Sequence, residues 1–315
     1  MQDFEKAPYL ELDNYKAPEG INSIFIPMKD GLKIRLIYWN YSNQMHEAKG
    51  TILLQQGHNE FIEKYYETIQ DFLNRKYNVI AFDWRGQGIS ERMINDNRKQ
   101  YIEDFELHNQ DLKFIIDNII IDNFTKPLIG VGHSMGGCIL LYFLKENEKQ
   151  LDKVILSAPM LGFRSEKFLM PIIEFFSLFL PKKSFFPGSK PNYGKETPFK
   201  GNDLTTDRKR YKRTQKIVRL KKDIRLWGIT IAWAKAVKKT LLHMRQEGWA
   251  ETIKSKILFI NSLNDRVVSS KYISIMSKRL NNSKMVYFKN AEHELFMESD
   301  NNRKKLWESI DLFLK

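Results

Sequence analysis

Between residues 51 and 160 the chain alternates short, wholly apolar runs with amphipathic stretches. "KGTILLQQG", "YNVIAFDW", "KPLIGVG" and "LDKVILSAP" show no polar–apolar alternation. A strand with one wet face would show it, so these runs read as parallel strands covered on both faces. The intervening "NEFIEKYYETIQDFLNRK" and "IEDFELHNQDLKFIIDNII" carry apolar residues at helical spacing and supply the cover. Two further strands, "SIFIP" and "LKIRLIYW", open the pattern as a hairpin around Lys29-Asp30-Gly31. From about Leu161 to Glu247 the rhythm breaks into helical or irregular segments, with prolines at 171, 181, 187, 191 and 198. It resumes with "KILFINSLND", "KYISIMSKRL", "KMVYFKN" and "NRKKLWESIDLFL". The expectation is one α/β unit, built on a mostly parallel sheet with helices on both faces. A single long insertion interrupts it after about the sixth strand. A length of 315 residues suits this arrangement, and 42% hydrophobic residues suffice for its core. The expected core is 1–160 with 248–315, and the insertion is 161–247.

The strand "LIGVG" meets a helical pattern at Gly132-His133-Ser134-Met135-Gly136. A serine at such a junction is forced into a sharp turn with its hydroxyl exposed, which makes Ser134 a candidate nucleophile. A serine that merely caps the helix is the simpler alternative. Gly136-Gly137 weakens it, because two glycines at a helix start cost stability without another purpose.

A nucleophilic serine needs a base, an orienting carboxylate and oxyanion donors. His293, in "KNAEHELFME", falls between the last strand and the last helix, at the same sheet edge as Ser134. Asp265, in "FINSLNDRVVSS", follows the strand that restarts the sheet and lies between the other two in chain order. Ser269 or Ser270 is better placed than Asp265 to cap the next helix. The oxyanion donors are expected to be the N–H groups of Met135 and of His58, in the "QQGHNEF" loop that Gly57 allows to turn tightly. The His58 side chain is expected to line the pocket. His133 is expected to point away from Ser134, His108 and His243 to serve packing or surface, and His46 to sit in a polar loop. Asp83 and Arg85 in "DWRGQGIS" read as the fixings of a glycine-rich turn.

Taken together, "QQGHNEFIEKYYE", "FDWRGQGISER", "GVGHSMGG", "LSAPML", "NDLTTDRKRY", "NDRVV" and "AEHELFME" resemble the serine aminopeptidase S33-like group of the α/β-hydrolase superfamily, which includes bacterial lysophospholipase L2 and monoacylglycerol lipases. The resemblance spans nearly the whole chain. It implies the α/β-hydrolase fold, with eight mostly parallel strands and a helical cap over the active site. It also implies an Asp265–His293–Ser134 triad and a carboxylic-ester substrate of the monoacyl lipid class. One departure is that Gln56-Gly57 stands where many members read His-Gly, a change that keeps the backbone donor. An iminopeptidase-like peptidase or a thioesterase on the same triad is the alternative, and an idle binding protein on this scaffold is a third reading.

Two features bear on the substrate. "FLMPIIEFFSLFLPKKSFFPG" is dense in large apolar residues, and Gly57, Phe168, Phe175 and Phe176 are the expected substrate contacts. The stretch 202–239 sets three aspartates against thirteen Lys and Arg, a net of +10 out of +13 for the chain. That fits contact with an anionic membrane or a phosphate-bearing substrate, or else a solvated basic surface. No nucleic-acid-binding motif, paired metal-ligand spacing or cofactor motif appears, so no nucleic acid, metal or cofactor is expected. The one cysteine, Cys138, excludes an intrachain disulfide and reads as a buried, inert thiol. No apolar run reaches about 18 residues and the N-terminus lacks signal-peptide character. A cytoplasmic protein is expected, with peripheral contact at the inner face of the membrane left open.

Overall fold

The apolar runs become strands buried on both faces. In the computed structural model, which describes residues 4–41, 47–189 and 197–315, the first strands are β1 (Asn22–Pro27), β2 (Lys33–Trp39), β3 (Thr51–Gln55) and β4 (Asn78–Phe82), with helix α1 (Tyr66–Asn74) between the last two. A two-residue strand β5 (Lys99–Gln100), helix α2 (Glu106–Ile115) and strand β6 (Leu128–His133) follow, then α3 (Met135–Asn147) and β7 (Lys153–Ser157). The insertion contributes α4 (Glu166–Phe179), α5 (Arg208–Leu220), a two-residue strand β8 (Gly228–Ile229) and α6 (Ile231–Met244). The chain closes with β9 (Lys256–Ser262), α7 (Ser270–Arg279), β10 (Ser283–Phe288) and α8 (Asp300–Leu314).

The main sheet has eight strands in the order β1-β2-β4-β3-β6-β7-β9-β10. Only β2 runs against its neighbours, antiparallel to β1 and β4, and the other adjacent pairs are parallel. Alternate residues of each central strand enter different layers. Leu53 joins α2, α3 and α6 on one face, while Ile52 and Leu54 join α1 and α8 on the other. That explains the missing polar alternation: both faces of the sheet are interior.

The insertion follows β7, the sixth strand of the main sheet along the chain. It is not purely helical or irregular. Gly228–Ile229 pairs in parallel with Lys99–Gln100, fastening the insertion to the segment after β4. Two residues are too short to leave a periodic trace in the sequence. Its basic stretch is also fastened rather than simply solvated. Arg210 bonds Glu67 at 2.5 Å, Asp207 at 2.9 Å and Asp300 at 2.6 Å, and Arg213 bonds Glu67 at 2.7 Å. Arg208, Lys209 and Lys212 of the same helix remain exposed. No helix among the described residues is long and apolar enough to cross a membrane.

Candidate active site

Ser134 sits between β6 and α3 with φ +50° and ψ −114°, a conformation non-glycine residues seldom adopt. It occupies the capping position of α3 but makes no capping bond, so the capping alternative does not explain the side chain. The turn is possible because glycine follows. A Cβ at Gly136 would lie 2.6 Å from the carbonyl oxygens of Gln55 and Gln56, so α3 can approach β3 only with hydrogen at that position.

His293 Nε2 lies 3.0 Å from Ser134 Oγ, and His293 Nδ1 lies 2.7 Å from Asp265 Oδ2. All three residues are buried. The other carboxylate oxygen of Asp265 accepts the N–H groups of Val267 and Val268 at 2.8 and 2.9 Å. Burial opposes ionisation of Asp265, but the facing His293 and those N–H groups outweigh it and hold its pKa below the ordinary value. Ser269, not Asp265, caps α7. The serine, imidazole and carboxylate thus form one hydrogen-bonded chain, able to draw a proton from the hydroxyl and stabilise the resulting imidazolium.

The insertion holds the histidine loop in place. Backbone N–H groups of His293 and Glu294 donate to the carbonyls of Asp203 and Leu204 at 3.4 and 2.7 Å, and Thr205 Oγ1 donates to the Met297 carbonyl at 2.7 Å. The "NDLTTD" stretch is therefore a tertiary clip on the loop that carries the imidazole.

The glycine-rich turn after β4 supports the neighbouring loop. Asp83 Oδ2 accepts from Arg35 Nε and the Ile89 N–H, each at 2.8 Å. Its Oδ1 accepts from Gln56 Nε2 at 2.9 Å and from the Ile62 N–H at 3.2 Å. Gly88, at φ +54°, is required because a Cβ there would overlap the Asp83 carboxyl group. Gln56 is thus tied to this buried carboxylate.

A cleft of about 210 Å³ opens over Ser134 and His293. Gly57 and His58 line it, as do Leu204, Tyr211 and Arg225 of the insertion. The expected contacts Phe168, Phe175 and Phe176 do not. Phe168 and Phe175 are 77% and 57% exposed, and Phe176 packs against Phe186. Helix α4 turns Ile173 inward against Ile231 and Ala234; a helix apolar all round does not announce which face meets the site. His133 also departs from expectation. Its ring lies 4.7 Å from that of His293 and lines the cleft, with Nδ1 3.2 Å from the Ser157 carbonyl. His108 is buried against Trp84 and Phe105, His243 is exposed, and His46 lies outside the described residues. Burial pushes the Cys138 thiol up to about 12, which makes it inert at neutral pH.

Sequence reasoning missed Glu60, Lys64 and Glu294. Glu60 Oε2 accepts the Gly57 N–H at 2.6 Å and the Tyr65 hydroxyl at 2.7 Å. Lys64 bridges Glu60 and Glu294, the latter at 2.6 Å. The only trace in the sequence is the i,i+4 spacing of Glu60 and Lys64, which usually marks a solvated helix face. Here both are buried.

Three imidazoles in and behind the site, His108 and His133 buried and His58 half-buried, carry a pH dependence. Burial pushes His58 down to about 4 and His108 and His133 to about 3, from an ordinary value of 6.5. The unfolded chain therefore takes up protons first as pH falls, and folding stability is lost from about pH 6.5 downward. We expect the urea midpoint to drop steadily between about pH 7 and pH 4.5. Each histidine contributes a slope of up to about 1.4 kcal/mol per pH unit, and His108→Phe should flatten the profile. A midpoint constant across that range would contradict the assignment of neutral buried rings.

The profile of a family described as serine aminopeptidase, S33, matches residues 46–300. The chain is similar to a probable lysophospholipase L2 of Haemophilus influenzae, 26% identical over 287 residues that cover 89% of this chain and 88% of that protein. It is 25% identical over 283 residues to lysophospholipase L2 of Escherichia coli, covering 86% of this chain and 81% of that one. A solved structure with a similar fold is a soluble variant of the Saccharomyces cerevisiae monoglyceride lipase in complex with a substrate analogue. Its TM-score is 0.76 at 16% identity, covering 98% of each chain.

Proposed function

Because the chain belongs to the serine aminopeptidase S33 family of α/β-hydrolases, we propose that it cleaves the carboxylic ester of a monoacyl lipid, in the manner of a lysophospholipase or monoacylglycerol lipase, through an acyl-enzyme on Ser134. The observation that carries this reading is the chain of hydrogen bonds from Ser134 Oγ through His293 to Asp265. The names of the relatives supply the substrate class.

His293 Nε2 takes the Ser134 proton as Oγ attacks the acyl carbonyl. Asp265 fixes the Nδ1–H tautomer and stabilises the imidazolium. The oxyanion meets the N–H groups of Met135 and His58. Met135 opens α3, where backbone donors have no partner within the helix, and Glu60 takes the neighbouring Gly57 N–H. His293 then protonates the departing alkoxide, and water repeats the cycle on the acyl-enzyme. We assign residues 161–247 as a cap, supported by Leu204, Tyr211 and Arg225 lining the cleft. Phe61, Val267 and Met297 offer the acyl chain an apolar wall.

The exposed row Phe168, Ile172, Phe175 and Phe179 on α4 suits another role, contact with the lipid surface that presents the substrate. The exposed basic residues of α5 favour an anionic surface. Two measurements separate these parts. The purified protein should hydrolyse lysophospholipid and monoacylglycerol well above Pro-p-nitroanilide and acyl thioesters. Sedimentation with vesicles containing phosphatidylglycerol should weaken in the Phe168→Ser/Phe175→Ser double variant. Preference for the anilide would make it an iminopeptidase-like enzyme, and preference for thioesters a thioesterase. Unaltered sedimentation would remove the lipid role of α4.

A further inference from the structure

Five charged side chains wall the active-site cleft, and four already have partners. Arg210 is held by Glu67, Asp207 and Asp300, and also donates to the Glu298 carbonyl at 3.0 Å. Lys64 lies between Glu60 and Glu294, and Glu60 further accepts from Gly57 and Tyr65. The fifth is Arg225. Among the described residues its guanidinium has no carboxylate within 4 Å and no hydrogen-bond acceptor; the Trp227 ring lies beside it, with 6.0 Å from centroid to Cζ. Burial lowers its pKa despite the more distant Glu294 and Glu60, so its charge is incompletely compensated. The half-buried Arg225 guanidinium faces the cleft with only water to accept its hydrogen bonds, and a bound oxyanion would accept them as charge-assisted bonds.

Its position is fixed. Ile224 and Leu226 on either side are buried, and the Leu226 N–H donates to Asn59 Oδ1 at 2.6 Å. Asn59 follows His58, the proposed oxyanion donor, so the segment carrying Arg225 is fastened directly to the oxyanion loop. The planar fork matches the geometry of a phosphate or carboxylate group.

We propose that Arg225 forms an oxyanion subsite beside the catalytic serine that receives the phosphate of the substrate's alcohol portion, making a phosphate-bearing monoacyl ester the preferred substrate over a neutral monoacylglycerol. This rests on the ester-hydrolase reading above and adds the discrimination between its two substrate types. A fatty carboxylate shares the chemistry of the ligand, and the two sources are separable.

The test compares wild type with Arg225→Gln and Arg225→Lys. Calorimetric titration of glycerol 3-phosphate and of octanoate into the Ser134→Ala protein, with and without Arg225→Gln, reads binding without turnover. We expect glycerol 3-phosphate to bind and Arg225→Gln to weaken it by roughly 10- to 100-fold. In the active enzyme, the ratio of kcat/KM for lysophosphatidate over the monoacylglycerol of equal chain length should fall by a similar factor, through KM, with partial recovery in Arg225→Lys. Binding of octanoate but not glycerol 3-phosphate, or an equal fall on both esters, would overturn the proposal. Failure of the underlying reading looks different: wild type would cleave neither lipid and would not react with a fluorophosphonate probe.

Discussion

Replacing Ser134 with alanine is expected to lower kcat on p-nitrophenyl butyrate by roughly a hundred-thousand- to a million-fold, as when other triad serines are removed. The size of the effect follows from the mechanism. His293 is placed to activate one hydroxyl, 3.0 Å from Nε2, and without it the base has no nucleophile to deprotonate. The remaining rate would come from the oxyanion donors and substrate binding, so it should not vanish entirely. Fluorophosphonate labelling should disappear with the hydroxyl. The fold should persist, because alanine keeps the backbone of the turn and Ser134 makes no capping bond to lose. Thermal unfolding near the wild-type temperature, measured alongside the assay, separates lost chemistry from lost structure. Near-wild-type hydrolysis by a folded Ser134→Ala protein would remove the nucleophile assignment. A wild-type protein that never labels would favour the idle scaffold. The substitution tests the triad and is silent on the substrate, because peptidase and thioesterase readings need the same serine.

The second large effect concerns stability. Arg35 is completely buried, with Glu63 at 2.5 Å and Asp83 at 2.6 Å, and it donates further to the Pro8 carbonyl at 3.1 Å. Arg35→Met would leave two carboxylates in the interior without their cation. Removing one partner from a buried ionic cluster costs about 3–5 kcal/mol, mostly as uncompensated charge. The urea midpoint should fall accordingly. Activity should also decline in the protein that remains folded, since Asp83 holds Gln56 and the Ile62 N–H on either side of the Gly57-His58 loop. A midpoint within error of wild type would show that this cluster relaxes or admits water. Replacing all three residues by apolar ones of similar volume should cost less than Arg35→Met alone, because no charge is stranded.

Several parts of the site could be read directly along the chain. Ser134, Asp265 and His293 each follow a recognisable strand, and parallel strands of a sheet end at one edge. Their order and their shared edge therefore followed from pattern alone, and their side chains meet there within hydrogen-bonding distance. The direction of other side chains did not follow. Phe168 and Phe175 look like acyl-chain contacts by composition, yet the apolar Ile173 face of α4 is the one that packs inward. His133 reads as turned aside as the neighbour of Ser134, and in the fold its ring lies beside that of His293. Charge was equally ambiguous. The basic stretch 202–239 reads as a single +10 surface. In the fold, Arg210 and Arg213 are engaged by Glu67, Asp207 and Asp300, and Arg225 faces the cleft.

Local periodicity and chain order were enough to specify the parallel sheet, the place of the insertion and the three residues at the sheet edge. A strand or helix imposes its period on its own residues, so those features are written locally. The face of α4 that packs inward, the cations already paired, and the joint burial of Glu60, Lys64 and Glu294 emerge only in three dimensions. They depend on contacts between residues far apart in the chain: Lys64 with Glu294, Arg210 with Glu67 at a separation of 143 positions, and Leu226 with Asn59 at 167. Burial and electrostatic pairing are set by such distant neighbours, and no local pattern encodes them.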